Sequence, residues 1–290
     1  MNYFVSANLK AYHDWQIELL LESFSSHLES DKLHVAFTMG GHYRYPYTEN
    51  INKIRNGYIY ENFGEKKGFD PLNEIYQLSH LINEKKIKMP LVVIKPHMVM
   101  KNPMSKLITV GDYRAFIYNS DPFFTFDNAV KNAGNFWEKL NKPREFYESG
   151  WFNLGNVYLI TGFPDWFCSK IVRVTEDLVV DQIMKNQKVW DETVRLAWVV
   201  SIIDSAKDID ILPNFGLSAI MNEGRDAVFI DYEHGLPPQF SNSMYKYTPP
   251  KYISFGDPIE KITECEATPN AHYMSKIAKC IVDRRKINAK

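Results

Sequence analysis

Residues 90–103, Pro90-Leu91-Val92-Val93-Ile94-Lys95-Pro96-His97-Met98-Val99-Met100-Lys101-Asn102-Pro103, constrain the fold more than any other stretch of this chain. Leu91 to Ile94 is apolar and largely β-branched, the composition of a central strand covered on both faces. Pro96 brings no N–H to a ladder, so the strand ends or kinks there before an apolar run resumes at Met98. Lys95 and His97 are thereby presented at a strand's carboxyl end, which in open α/β sheets is where ligands bind.

The residues before that point alternate between two periodicities. Residues 3–7 read as a strand and 15–24 as a helix, 32–39 as a strand stopped by Gly40-Gly41, and 58–63 as a further strand. Asp70-Pro71 opens a helix over 70–86, with Asp70 as cap and Pro71 at the first helical position. Strand, helix, strand, helix, strand predicts a mainly parallel sheet flanked by helices on both faces. Further on, 116–118 and 151–161 read as strands, 127–140, 169–185 and 190–205 as helices, and 227–232 as a strand. From residue 236 the chain is irregular and rich in Pro and Tyr until a basic helix over 272–286. No repeat or low-complexity tract interrupts it. The expected organisation is one domain over 1–250 and a C-terminal extension, 251–290, packed on the same domain.

A formal charge of −1 supplies no global basic field, so a nucleic-acid contact would need a local patch. Lys276, Lys279, Arg284, Arg285 and Lys286 form one, although a solvated helix end has the same pattern. Three cysteines, Cys168, Cys265 and Cys280, fit no zinc or disulfide framework and point to a reduced compartment. No run has the length of a membrane span, and the N-terminus lacks the signal-peptide pattern. A cytoplasmic protein is expected.

Several segments, in order, resemble glycosyltransferases of the GT-A fold, a Rossmann-like α/β class, and in particular the group that attaches arabinose to hydroxyproline or galactose to serine. Tyr3-Phe4-Val5-Ser6-Ala7-Asn8 followed by Tyr12-His13-Asp14-Trp15-Gln16 is similar to their first strand and helix start. Gly68-Phe69-Asp70-Pro71 resembles the segment before their metal-motif strand. Phe152-Asn153-Leu154-Gly155 resembles a Phe-Asn-x-Gly strand on the sugar and acceptor side, with Asp181-Gln182 downstream. Ile230-Asp231-Tyr232-Glu233-His234-Gly235 resembles the late segment that closes over the diphosphate, with Asp231 where the family has His. The strand, Pro96, Met98 and Lys101-Asn102-Pro103 match the family's metal-motif region, but Lys95 and His97 replace its two acids.

What the resemblance implies is transfer of a sugar from a nucleoside-diphosphate sugar to a hydroxyl. Donor contacts are expected from Ser6, Asn8, Tyr12, Trp15, Lys95, His97, Asn153, Gly155, His234 and Lys246. Such a reaction needs the leaving diphosphate stabilised, by a divalent ion or by fixed cations. A protonated lysine cannot ligate a metal, so the leading expectation is that metal dependence is reduced or lost, with no cofactor required at the limit. Lys95 then neutralises the phosphates, assisted by Lys246 or Arg225. The competing expectation is a rebuilt manganese or magnesium site on His97, Asp231 and His234. His97 and Lys95 also read as ordinary strand-end residues, and Asp121, before Pro122, reads as a turn as readily as a ligand.

Asp191 and Glu192, after Trp190, resemble an acidic segment near the acceptor and are the candidate catalytic carboxylates beside Lys95. Acids at a helix start also complement its dipole. Tyr43, Tyr45, Tyr47, Trp151 and Trp166, with Arg44, are candidates to stack a base or sugar, or core. Relatives of this type in eukaryotes work behind a membrane anchor. A chain with no such segment is expected in the cytoplasm of a bacterial or phage-infected cell, with a hydroxymethylated pyrimidine in phage DNA as acceptor and protein or glycan hydroxyls as alternatives. A non-catalytic nucleotide-binding module that kept the fold is the reading from a different class. A nucleotidyltransferase would need an early Gly-rich loop, for which Gly40-Gly41 is a poor substitute.

Overall fold

The structure is a computed structural model that describes residues 1–8, 11–39, 54–66, 69–103, 114–119, 124–162, 166–184, 192–205, 208–211, 217–219, 227–232, 259–264 and 268–288. Its strands are β1 (Asn2–Asn8), β2 (Leu33–Thr38), β3 (Gly57–Tyr60), β4 (Leu91–Ile94), β5 (Met98–Met100), β6 (Arg114–Asn119), β7 (Leu154–Ile160), β8 (Asp208–Ile211), β9 (Leu217–Ala219) and β10 (Phe229–Asp231). The longer helices are α1 (Ala11–Ser26), α2 (Leu72–Asn83), α3 (Phe126–Ala133), α4 (Arg144–Ser149), α5 (Phe167–Met184), α6 (Thr193–Ser205) and α7 (Pro269–Asn288). The fold is mixed α/β, with a mostly parallel central sheet flanked by helices. Two compact units divide the chain: residues 1–4, 60–93 and 109–213 form the first, and residues 5–59, 94–108 and 214–290 the second.

In the first unit the strand order is β4-β7-β6-β8. β7 is antiparallel to both β4 and β6, while β8 is parallel to β6. The alternation read from the first hundred residues therefore stops at β7, which reverses direction. Every residue of β4 is buried, as its unbroken apolar run requires. Trp198 on α6 packs against Tyr158 of β7 at 4.5 Å and against Phe167 of α5 at 5.7 Å. Beside this core, Tyr147 of α4 and Lys170 of α5 both donate to the carboxylate of Asp204 on α6, at 3.0 and 2.6 Å. Burial and that carboxylate hold the Tyr147 phenol well above its ordinary range.

Two helix expectations shift for local reasons. The helix expected over 127–140 ends at Ala133, because Gly134 adopts φ 55°, and a 3-10 turn, Gly134–Lys139, follows. Thr125 caps its start by accepting from the Asn128 N–H at 3.2 Å. The helix expected from Asp70 begins at Leu72, and the Asp70 carbonyl accepts from Asn73 N at 3.0 Å.

In the second unit the strand order is β3-β2-β1, with a separate sheet β5-β10-β9. β2 is buried at all six positions. His34 on β2 stacks on Tyr58 of β3 and lies 3.3 Å from its hydroxyl, and burial lowers its pKa to about 4. Trp15 and Leu19 of α1, Val99 of β5, Ile230 of β10 and Met274, Ala278 and Ile281 of α7 share one apolar core. Side chains from both helices pair the β5 backbone. Ser23 Oγ accepts from Met100 N at 3.0 Å, and Tyr273 OH donates to Met100 O at 2.9 Å.

Candidate functional site

β4 ends at Ile94 and β5 begins at Met98, so Lys95, Pro96 and His97 turn the chain from one sheet into the other. Pro96 is buried, whereas Lys95 and His97 are partly exposed. Asp231, the last residue of β10, sits opposite Met98 in the antiparallel register. One residue further, Tyr232 N donates to His97 O at 3.2 Å, and Tyr232 OH donates to Pro96 O at 3.4 Å. These bonds to consecutive carbonyls fix the backbone of the corner. The His97 ring meets Tyr232 edge-on at 6.5 Å, and Trp15 lies 5.7 Å from the Tyr232 ring. Asp231 Oδ1 stands 3.7 Å from His97 Nε2, with both side chains mostly buried.

Ser6 and Asn8 lie at the end of β1, the neighbour of β4 in the sheet. Asn2 N donates to Pro90 O at 2.9 Å, which sets the starts of β1 and β4 side by side. The two strands thus run the same way, and Ser6, Asn8 and Lys95 approach one carboxyl edge. Tyr12 falls in the first turn of α1. Trp15 is buried in the apolar core and supports Tyr232 from behind. Tyr232 lay within the segment quoted for the resemblance but was given no role of its own. Its signals were that segment and an aromatic hydroxyl directly after the Asp231 strand end.

His97 and Asp231 offer a divalent ion one imidazole and one carboxylate, an acceptable pair of donors for manganese. A hard ion wants about six ligands, mostly oxygen, and no group of three or more His, Cys, Asp or Glu is placed to hold one among the described residues. Diphosphate oxygens would have to complete a shell begun by those two side chains. The third expected ligand, His234, lies outside the described residues, as do Asp191, Lys246, Asp121, Arg225, Arg44, Tyr43, Tyr45 and Tyr47.

The motif residues of the first unit are engaged differently. Glu192 precedes α6, accepts through its carbonyl from Leu196 N at 2.9 Å, and pairs with Arg195 at 2.9 Å. Asp181 pairs with Lys139 at 2.9 Å. Gln182 is buried in α5, donating to Asn132 O at 3.1 Å and accepting from Thr193 Oγ1 at 3.3 Å. Asn153 immediately precedes β7 and Gly155 lies within it. Trp151 belongs to an aromatic cluster with Phe124 and Phe126, whereas Trp166 is half exposed. Burial pushes the Cys168 thiol up to about 12, which removes it as a nucleophile at neutral pH.

The basic end of α7 is partly spoken for within the second unit. Arg284 pairs with Glu22 of α1, and Arg285 forks onto Glu18. No helix among the described residues is long and apolar enough to cross a membrane.

No protein-family profile matches the chain, and no curated protein matches it. Among solved structures, a galactosyltransferase, LgtC, in complex with donor and acceptor sugar analogues is similar at a TM-score of 0.49 and 12% identity, over 97% of this chain and 96% of that one. The glycosyltransferase GlyE of Streptococcus pneumoniae TIGR4 is similar at a TM-score of 0.46 and 12% identity, over 80% of this chain and 54% of that one.

Proposed function

We propose that this protein is a glycosyltransferase that takes a nucleoside-diphosphate sugar and transfers its sugar to a hydroxyl. The observation that carries the reading is the Lys95-Pro96-His97 corner, held by Tyr232 and faced by Asp231 from β10. It occupies the strand-end position where the sequence resemblance puts the leaving diphosphate. As the bond between the sugar's anomeric carbon and the diphosphate oxygen breaks, negative charge grows on that oxygen, and a fixed ammonium there lowers the barrier. Lys95 supplies that ammonium. The acceptor hydroxyl forms the new glycosidic bond and gives up its proton. Ser6 and Asn8, on the same edge, face the donor's nucleoside. A divalent ion held by His97, Asp231 and diphosphate oxygens is the second reading of the same corner, favoured by the 3.7 Å approach of the two side chains.

The finer proposal for the acceptor is a hydroxymethylated pyrimidine in DNA, with protein and glycan hydroxyls as the alternatives. Arg284 and Arg285 give DNA little help, since both are committed to α1. The test is release of nucleoside diphosphate from a panel of uridine, guanosine and thymidine diphosphate sugars. Each is offered with hydroxymethylcytosine DNA, a hydroxyproline or serine peptide, or an oligosaccharide. Turnover of one donor supports the proposal, and the acceptor that raises it names the class. Nucleotide binding without turnover would establish the non-catalytic module instead.

A further inference from the structure

A cleft of about 480 Å³ opens on the first unit where the turn Gly134–Lys139 runs on into α4. Its wall carries one indole, Trp137, and five polar side chains, Glu138, Asn141, Lys142, Arg144 and Glu145, all five exposed. Two acids and two bases line it, so the wall has no net charge to select a phosphate or a metal ion. Lys142 and Arg144 rest over the rings of Phe146 and Phe126, at 5.4 and 5.5 Å. Among the described residues, the side chains of Glu138, Asn141 and Glu145 make no hydrogen bond or ion pair. The Trp137 indole N–H, in a side chain 7% exposed, has no acceptor there either. That N–H is itself buried, so a ligand in the cleft meets the exposed polar side chains rather than the indole donor.

We infer that this cleft binds a neutral oligosaccharide. Sugar hydroxyls both donate and accept, which suits a wall that mixes carboxylates, an amide and cations without net charge. The volume falls in the range of small-ligand sites, roughly 300–1,000 Å³. The inference stands apart from the donor reading, because these residues belong to the first unit and are unsuited to a diphosphate.

The test is saturation-transfer NMR on the full chain with maltotriose, cellotriose and N,N′,N″-triacetylchitotriose. At least one trisaccharide is expected to bind. A Glu138→Ala/Asn141→Ala double variant, both positions exposed, is expected to weaken that binding by about tenfold, and Glu84→Ala to leave it unchanged. Uridine diphosphate is expected not to compete. Silence from all three sugars, undiminished binding in the double variant, or displacement by uridine diphosphate would each overturn the inference. Failure of sugar-nucleotide turnover would leave these outcomes untouched.

Discussion

The second unit and the first treat their motif residues in opposite ways. At the β4 to β5 corner the backbone is locked by Tyr232, while Lys95 and His97 stay partly exposed at a strand end. In the first unit Asp181, Gln182 and Glu192 spend their side chains on Lys139, Asn132, Thr193 and Arg195. Fixing the main chain of a partly exposed strand-end corner is what preorganised chemistry requires. Ion pairs and buried amides within and between helices are what packing requires. Similarity of motif therefore carries more weight at the corner than on α5 and α6.

The sharpest way to break this contrast is Lys95→Met. Loss of the ammonium is expected to lower turnover of the sugar nucleotide by about 100-fold or more while the circular dichroism spectrum is unchanged. Next comes Asp204→Ala in the first unit, which strips Lys170 and Tyr147 of their shared acceptor. A cost of about 3 kcal/mol is expected in urea unfolding, with Tyr147→Phe costing about 1 kcal/mol. A loss of comparable size is expected from acid in the second unit. The folded-state pKa of His34 lies below its unfolded value of 6.5, so its contribution is complete above pH 6.5 and is lost as pH falls towards 4. Denaturation curves across that window are expected to lose about 3 kcal/mol, and His34→Phe to flatten the profile. The smallest effect belongs to Glu192→Gln. If Glu192 serves α6 and Arg195, turnover changes by no more than about twofold, in keeping with a partly exposed ion pair worth under about 1 kcal/mol. A large loss of turnover would return it to the chemistry.

Much of the fold was legible because burial leaves a plain record. The apolar runs of β2 and β4 and the helical periods of α1, α5 and α7 all appear as elements near their expected bounds. The break at Pro96 was equally plain, since a proline has one fewer donor to offer. Reversal of β7 was not legible, because direction depends on which strands a segment joins rather than on its own composition. The end of the helix at Gly134 was missed because one glycine in a helical pattern is usually tolerated. At the site, the sequence named Lys95, His97 and Asp231. It also set His97 with Asp231 as a possible ligand pair, but gave no sign that Tyr232 would clamp the corner, since β5 and β10 are more than a hundred residues apart.

The most direct measurement is a calorimetric titration of uridine and guanosine diphosphates into the wild type and Lys95→Met, each in chelator and then in manganese. If Lys95 replaces the metal, the wild type binds one nucleotide in chelator about as tightly as in manganese, and Lys95→Met loses that binding. Binding that appears only with manganese and survives Lys95→Met would contradict the account and give the corner to His97 and Asp231.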